Sequence, residues 1–202
     1  MRITQIETIR TAALDMALWD IKGQALGVPI YELLGGAVRK RIRVYATGFA
    51  YEGAADLARE LLDEGITAMK GGPTIALAGA TDGQSIHPMD LDRALKPIRE
   101  IRDAVGMEMQ IANDGHGKWS LPAAIQIARA MEPYQMMWQE DLMPLLNPDA
   151  LLRLQEATSA PVCISERLLT RWQLRHFIEN GSARIIMPDL IWTGGMSETS
   201  KI

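Results

Sequence analysis

Four carboxylates in this 202-residue chain each follow a short apolar run, at nearly equal intervals. The run 109–113 precedes Asp114, 136–139 precedes Glu140, 162–165 precedes Glu166 and 185–188 precedes Asp189. Asp114, Glu140 and Glu166 are spaced 26 residues apart, and Asp189 follows after 23. That interval is about what one strand, one helix and two short loops consume. The chain therefore reads as a repeated βα unit with one acid at the end of each strand. Parallel strands that close into a barrel present their C-terminal ends on one face, where such acids converge. Converging carboxylates repel and are driven toward protonation unless a cation neutralises them. An oxygen-only set suits Mg²⁺, which takes near-octahedral oxygen ligands at ~2.0–2.1 Å and keeps positions open for substrate. Taken singly, each acid is equally well an N-cap at a strand-to-helix turn. The register of all four points to a site.

The elements that must position these acids follow from periodicity. Ile3 to Ile9 alternates as a strand would, and Thr11 to Leu26 places Leu14, Leu18, Ile21 and Ala25 at helical spacing. Gly27, Val28 and Pro29 stop that helix. A second short helical piece, Ile30 to Leu34, ends at Gly35-Gly36. After the basic stretch Arg39 to Arg43, strand 1 is expected over Ile42–Thr47, helix 1 over Ala54–Glu64 and strand 2 over Ile66–Lys70. A Gly- and Pro-rich loop, Gly71 to Pro88, leads to helix 2 over Met89–Val105. Strands 3 to 6 are the four acid-bearing runs, with helices near Leu121–Met131, Pro148–Ala157, Arg171–Asn180 and from Gly195 onward.

Six such strands make an α/β fold with a parallel sheet: an incomplete eight-stranded (β/α) barrel or an open doubly wound sheet. The barrel is favoured, because Thr47-Gly48-Phe49-Ala50 lacks the G-x-G-x-x-G spacing of a dinucleotide fold. An incomplete barrel leaves two unpaired edges, a liability for a lone monomer, so a homo-oligomer is expected.

The 21 basic and 25 acidic side chains give a net charge of −4, which suggests neither nucleic acid nor an anionic membrane as partner. The single cysteine, Cys163, lies in an apolar run and forms no internal disulfide. The opening MRITQIETIR lacks the apolar core of a signal peptide, and no run approaches the ~20 apolar residues of a membrane helix. The expected compartment is the cytoplasm.

The stretch TAALDMALWDIKGQALGVPIYELLGG and the runs IANDGHGKW, MWQED, PVCISER and IIMPDLIWTGGMSE resemble the mandelate racemase/muconate lactonizing enzyme branch of the enolase superfamily. Within it they are closest to acid-sugar dehydratases of the galactonate dehydratase kind. The resemblance implies an N-terminal capping-domain remnant over 1–40 and a partial enolase-type barrel over 41–202. It implies a Mg²⁺-dependent hydro-lyase acting on a small-molecule carboxylate, a sugar acid, with Asp114, Glu140 and Glu166 as the metal ligands. The metal would hold the substrate carboxylate and stabilise the enediolate left when the α-proton is removed, followed by loss of the β-hydroxyl.

Lys70 matches the first lysine of the family's Lys-x-Lys motif, where a cation would steady that charge. Gly72 stands where the second lysine would be, a departure that argues against a two-base racemase. His116 matches the general acid that protonates the departing hydroxyl, a task suited to histidine. Asp189 resembles the aspartate that orients a strand 7 histidine base. That base, strand 8 and most of the capping domain are expected to lie outside this sequence, which leaves two further readings: a non-catalytic remnant acting through association, and an epimerase or racemase.

Several residues have blander expectations. Asp141 lies behind the site, since adjacent strand residues face opposite ways. His87 and His176 are structural or solvent-facing. Thr193-Gly194-Gly195 could hold an anion at a helix N-terminus but suits a tight entry turn better. The twelve methionines fill core gaps, and Trp119, Trp138 and Trp192, near strand ends, wall a substrate pocket or serve as aromatic packing at the barrel top.

Overall fold

A computed structural model describes residues 2–49 and 51–202. They divide into two compact units. The larger comprises Val44–Ile164 and Phe177–Ile186; the smaller comprises the segment ending at Arg43 together with Ser165–His176 and Met187–Ile202.

The larger unit is built on one six-stranded sheet whose strands, all parallel, lie side by side in chain order. They are β1 (Ala46–Thr47), β2 (Ala68–Gly71), β3 (Gln110–Asp114), β4 (Gln139–Glu140), β5 (Val162–Ile164) and β6 (Ile185–Ile186). A doubly wound sheet reverses its order at a switch point. This one does not, so the partial (β/α) barrel holds and the open-sheet alternative falls. The expected strand 1 is much shorter than Ile42–Thr47. The register pairs Ala46 with Met69, and β2 begins at Ala68, so residues before Tyr45 have no strand opposite them.

Amphipathic helices connect the strands: α3 (Ala54–Asp63), α4 (Pro88–Val105), α5 (Leu121–Met131) and α6 (Pro148–Glu156). Helix α5 shows why they form. Its buried residues Ala123, Ala124, Ile127, Ala128 and Met131 fall on one stripe at helical spacing. Pro122 near its start costs no internal hydrogen bond. In α6 the cap is a side chain, because Asn147 Oδ1 accepts from the amides of Asp149 at 3.0 Å and Ala150 at 3.2 Å. His87 is a cap as well, its Nδ1 accepting from the Met89 amide at 3.2 Å at the start of α4. These stripes meet the sheet side chains Met69, Ile111, Val162 and Ile164 to form the core of this unit.

In the smaller unit α1 runs unbroken from Arg2 to Leu26, which corrects the strand expected at Ile3–Ile9. An isolated alternating segment has no neighbour to take its backbone hydrogen bonds, and nothing breaks the helix before Gly27, which turns with φ 67°. After it come α2 (Ile30–Leu33) and, near the end of the chain, α8 (Met196–Thr199). Helix α7 (Arg171–Glu179) carries His176 in its last turn.

The N-terminus of α8 is already satisfied from within the chain. Asp15 Oδ2 accepts from the Ser197 amide at 3.0 Å, and a Cβ on Gly195 would come within 2.5 Å of that oxygen. The position an anion could have taken there is therefore filled by the chain's own carboxylate. Burial alone would raise the Asp15 pKa, but bonds from Ser197 and the Met196 amide outweigh it and hold the carboxyl below its ordinary value. Trp19 Nε1 donates to Ser197 Oγ at 2.9 Å beside this cap. Among the described residues no helix is long and apolar enough to cross a membrane.

Candidate active site

Asp114 and Glu140 end β3 and β4 and are direct register partners across the ladder. Both are buried, Glu140 to 1% exposure and Asp114 to 8%. Like charges directly opposite one another in a sheet repel, so this pair demands a cation. Lys70, from the end of β2, supplies one. Its Nζ lies 2.6 Å from Glu140 Oε1 and 3.3 Å from Asp114 Oδ2. Burial would lower the Lys70 pKa, yet the bond to Glu140 and the charges of Glu140 and Asp114 more than reverse this, holding it well above the ordinary lysine value. As placed, Lys70 is a fixed cation rather than a proton acceptor. Three adjacent strands thus each contribute one ionised group to a single point.

His116 reaches the same cluster through a sharp turn. Its φ is +50° and that of Gly117 is +63°, so the chain turns sharply after β3. The backbone amide of His116 donates to Asp114 Oδ1 at 2.9 Å, and Nε2 stands 3.3 Å from Asp114 Oδ2. That turn is held, because three amides of the β3 loop donate to carbonyls of the β4 loop: Gly115 to Glu140 at 2.8 Å, Gly117 to Asp141 and Trp119 to Leu142 at 3.0 Å. The loops lie so close that a Cβ on Gly115 would come within 2.6 Å of Leu142 Cα. The imidazole itself remains half exposed.

Glu166 and Asp189 follow β5 and β6 in the chain but belong to the smaller unit, so the geometry of the cluster is that of Lys70, Asp114, His116 and Glu140. Asp189 Oδ1 accepts from the amides of Ile191 at 2.7 Å and Trp192 at 2.9 Å, closing its own turn. Asp141 is buried, with φ +40°. Cys163 is fully buried, and burial, with the Glu140 and Asp141 charges, pushes its thiol far up, away from any nucleophilic role.

A side chain at position 72 meets immediate obstruction. A Cβ there would lie 2.1 Å from Ile75 Cδ1 and 2.9 Å from the Asp114 carbonyl, so Ile75 fills the space a second lysine would need. Two aromatic residues complete the cluster, and of these Tyr45 was not expected. Trp138 Nε1 donates to Glu140 Oε2 at 2.8 Å, and Tyr45 packs edge-on against Trp138 and under Lys70. The signal for Trp138 was its position two before Glu140, hence on the same strand face. Tyr45 gave none, because its partners lie on other strands.

In chemical terms the cluster offers carboxylate oxygens gathered on one cationic point, the donor type that a hard divalent cation requires. In this structure that point is the Lys70 ammonium. Among the described residues no group of three or more His, Cys, Asp or Glu side chains is placed to hold a metal ion.

A sequential parallel βα sheet with its ionised groups at the strand C-termini defines the class, a (β/α)-barrel protein with a site at the carboxyl face. Residues 53–202 match the family described as enolase C-terminal domain-like, and residues 2–35 match the mandelate racemase/muconate lactonizing enzyme N-terminal domain. The chain belongs to the enolase superfamily, in its mandelate racemase/muconate lactonizing enzyme branch. It is 36% identical over 196 residues to a D-galactonate dehydratase of Variovorax paradoxus, covering 95% of this chain and 49% of that protein. It is 34% identical over 197 residues to a D-gluconate dehydratase of Thermoproteus tenax, covering 95% and 38%. The chain therefore spans half or less of the length of these curated relatives. Among solved structures, an enolase of the mandelate racemase subgroup from Agrobacterium tumefaciens is 44% identical with a TM-score of 0.92, covering 96% of this chain and 52% of that one.

Proposed function

We propose that this chain carries the metal- and substrate-carboxylate end of a Mg²⁺-dependent acid-sugar dehydratase site. The observation that carries the reading is the buried, in-register pair Asp114 and Glu140 gathered on one cation. Asp114 and Glu140, with Glu166, would hold the metal. Bound there, Mg²⁺ supplies Lewis-acid stabilisation of the negative charge that builds on a carboxylate as its α-proton leaves. Lys70, held protonated, adds a second positive charge beside the substrate carboxylate. His116, fixed by its backbone and half exposed, would deliver a proton to the departing β-hydroxyl. Asp189 is assigned the orienting role toward a histidine base. The obstruction at Gly72 supports a dehydratase over a two-base racemase. The proposed organisation is a capping-domain remnant over 1–40 and a barrel-type domain over 41–202.

Isothermal titration with Mg²⁺ tests the reading, on the native chain and on Glu140→Gln with Glu166→Gln. Saturable binding that the double variant loses is expected, together with a 2-keto-3-deoxy product from a panel of aldonic and aldaric acids that disappears in His116→Asn. No binding by the native chain refutes the metal site.

A second reading has its own observation. Leu14, Leu18 and Ile21 share one face of α1 and are each about two-thirds exposed. This favours a chain that works by associating, with itself or another chain, without catalysis. Sedimentation over a range of concentrations tests it, and a compact monomer throughout refutes it.

A further inference from the structure

Glu140 presents two different oxygens. Oε1 faces Lys70 at 2.6 Å, while Oε2 accepts from Trp138 Nε1 at 2.8 Å. Both residues are buried, Trp138 to 8% exposure. An indole has one N–H and no acceptor, so it can fasten a single carboxylate oxygen and nothing else. A bond from a neutral donor to an ionised acceptor is among the stronger kinds, and here little water competes for it. The indole is itself fixed, because Tyr45 meets it edge-on with ring centroids 5.3 Å apart and planes at 80°. Lys70 Nζ lies 5.8 Å from the centre of that same Tyr45 ring. Ring, indole, carboxylate and ammonium thus form a closed circuit drawn from β2, β4 and the lead-in to β1.

We propose that Trp138 is a positioning residue for Glu140: by holding Oε2 it stops the carboxylate from rotating and presents Oε1 alone to a bound cation. The inference rests on the reading of Glu140 as a metal ligand, and it extends that reading to a residue that touches neither metal nor substrate. Groups of this kind, which orient a ligand through its second atom, typically cost 10–100-fold in metal affinity when removed. Trp119 supplies an internal comparison. It is also fully buried, but its Nε1 has no partner in the structure.

The test follows the indole protons by ¹⁵N-edited NMR in metal-free protein, with Trp138→Phe assigning the Trp138 signal. In Glu140→Gln the acceptor loses its charge but keeps its shape. The Trp138 signal should then move upfield while that of Trp119 stays in place. In the native chain Mg²⁺ should shift the Trp138 signal, and in Trp138→Phe, which keeps a ring against Tyr45, Mg²⁺ affinity should fall at least tenfold by titration calorimetry. A Trp138 signal indifferent to Glu140→Gln overturns the proposal, as does a Trp138→Phe variant that binds Mg²⁺ as the native chain does. If the native chain binds no Mg²⁺ the metal reading fails, and the response to Glu140→Gln alone decides whether Trp138 positions this carboxylate.

Discussion

Replacing Lys70 by Met removes the cation while keeping most of the stem volume, and leaves Asp114 and Glu140 opposed in a buried ladder. At an effective dielectric of about 20, separations of 2.6 and 3.3 Å correspond to ~6 and ~5 kcal/mol of gross attraction. Desolvation of three ions offsets much of that, but removing one partner leaves buried charge uncompensated, at about 3–5 kcal/mol. In a chain of this size each kcal/mol moves the melting point by roughly 2–4 °C, so metal-free Lys70→Met should melt roughly 6–20 °C lower. Lys70→Arg, which keeps the charge, should lose far less. Mg²⁺ at a hundred times its dissociation constant stabilises a folded state by about 2.7 kcal/mol. The gain in Lys70→Met should match or exceed that of the native chain, because the metal then relieves the repulsion that the ammonium no longer does. Differential scanning calorimetry with and without Mg²⁺ measures both. A metal-free Lys70→Met that melts within about 2 °C of the native chain would show that Lys70 does not hold the carboxylates together.

Two further outcomes test one loop contact of the site and, separately, a cap in the smaller unit. Gly115→Ala forces a methyl to within 2.6 Å of Leu142 Cα, so the β3 and β4 loops must part; a loss of about 1–3 kcal/mol by urea unfolding is expected, with weaker Mg²⁺ binding as Asp114 moves. The Asp15 cap of α8 should be sensitive to acid. Its folded pKa lies below the unfolded value of about 3.9, so its contribution is complete above that value and is lost as pH falls through the depressed folded pKa. The indole resonance of Trp19, bonded to Ser197 beside the cap, should shift over that acid range, and Asp15→Asn should abolish the transition.

Much of this arrangement was legible because strands and helices impose different periods on one chain. The interval from Asp114 to Glu140 carries β3, α5 and β4, and the stripe that buries Ala124, Ile127 and Met131 is visible in the sequence as apolar spacing. The bounds expected for α5 are those observed. Strand lengths were less legible, since pairing depends on what lies opposite: Ile42–Thr47 reads as a strand, but β2 faces only its last residues. The segment Ile3–Ile9 misled for a related reason. Alternation marks a strand only where a neighbouring strand exists, and the same residues continue α1 when none does. The Asp15 cap joins residues 182 positions apart, a distance at which no local pattern carries information.

The register explains why these acids sit in step with the strands. In a parallel ladder the group opposite Glu140 is fixed by chain order alone, and it is Asp114. A sheet chosen for stability would place an uncharged partner there, since opposed like charges weaken the ladder. The arrangement persists because Lys70, one strand further along, meets both carboxylates, and because Trp138 takes the second oxygen of Glu140. On the proposed reading, the same two features that make the pair tolerable would also present opposed oxygens to a cation, one carboxylate held through its other oxygen. A divalent cation arriving there would have to take Oε1 and Oδ2 from the ammonium, so metal affinity is set by the difference between the two cations rather than by the carboxylates alone. Metal binding and the position of Lys70 would then be one equilibrium, and a change at either end would be felt at the other.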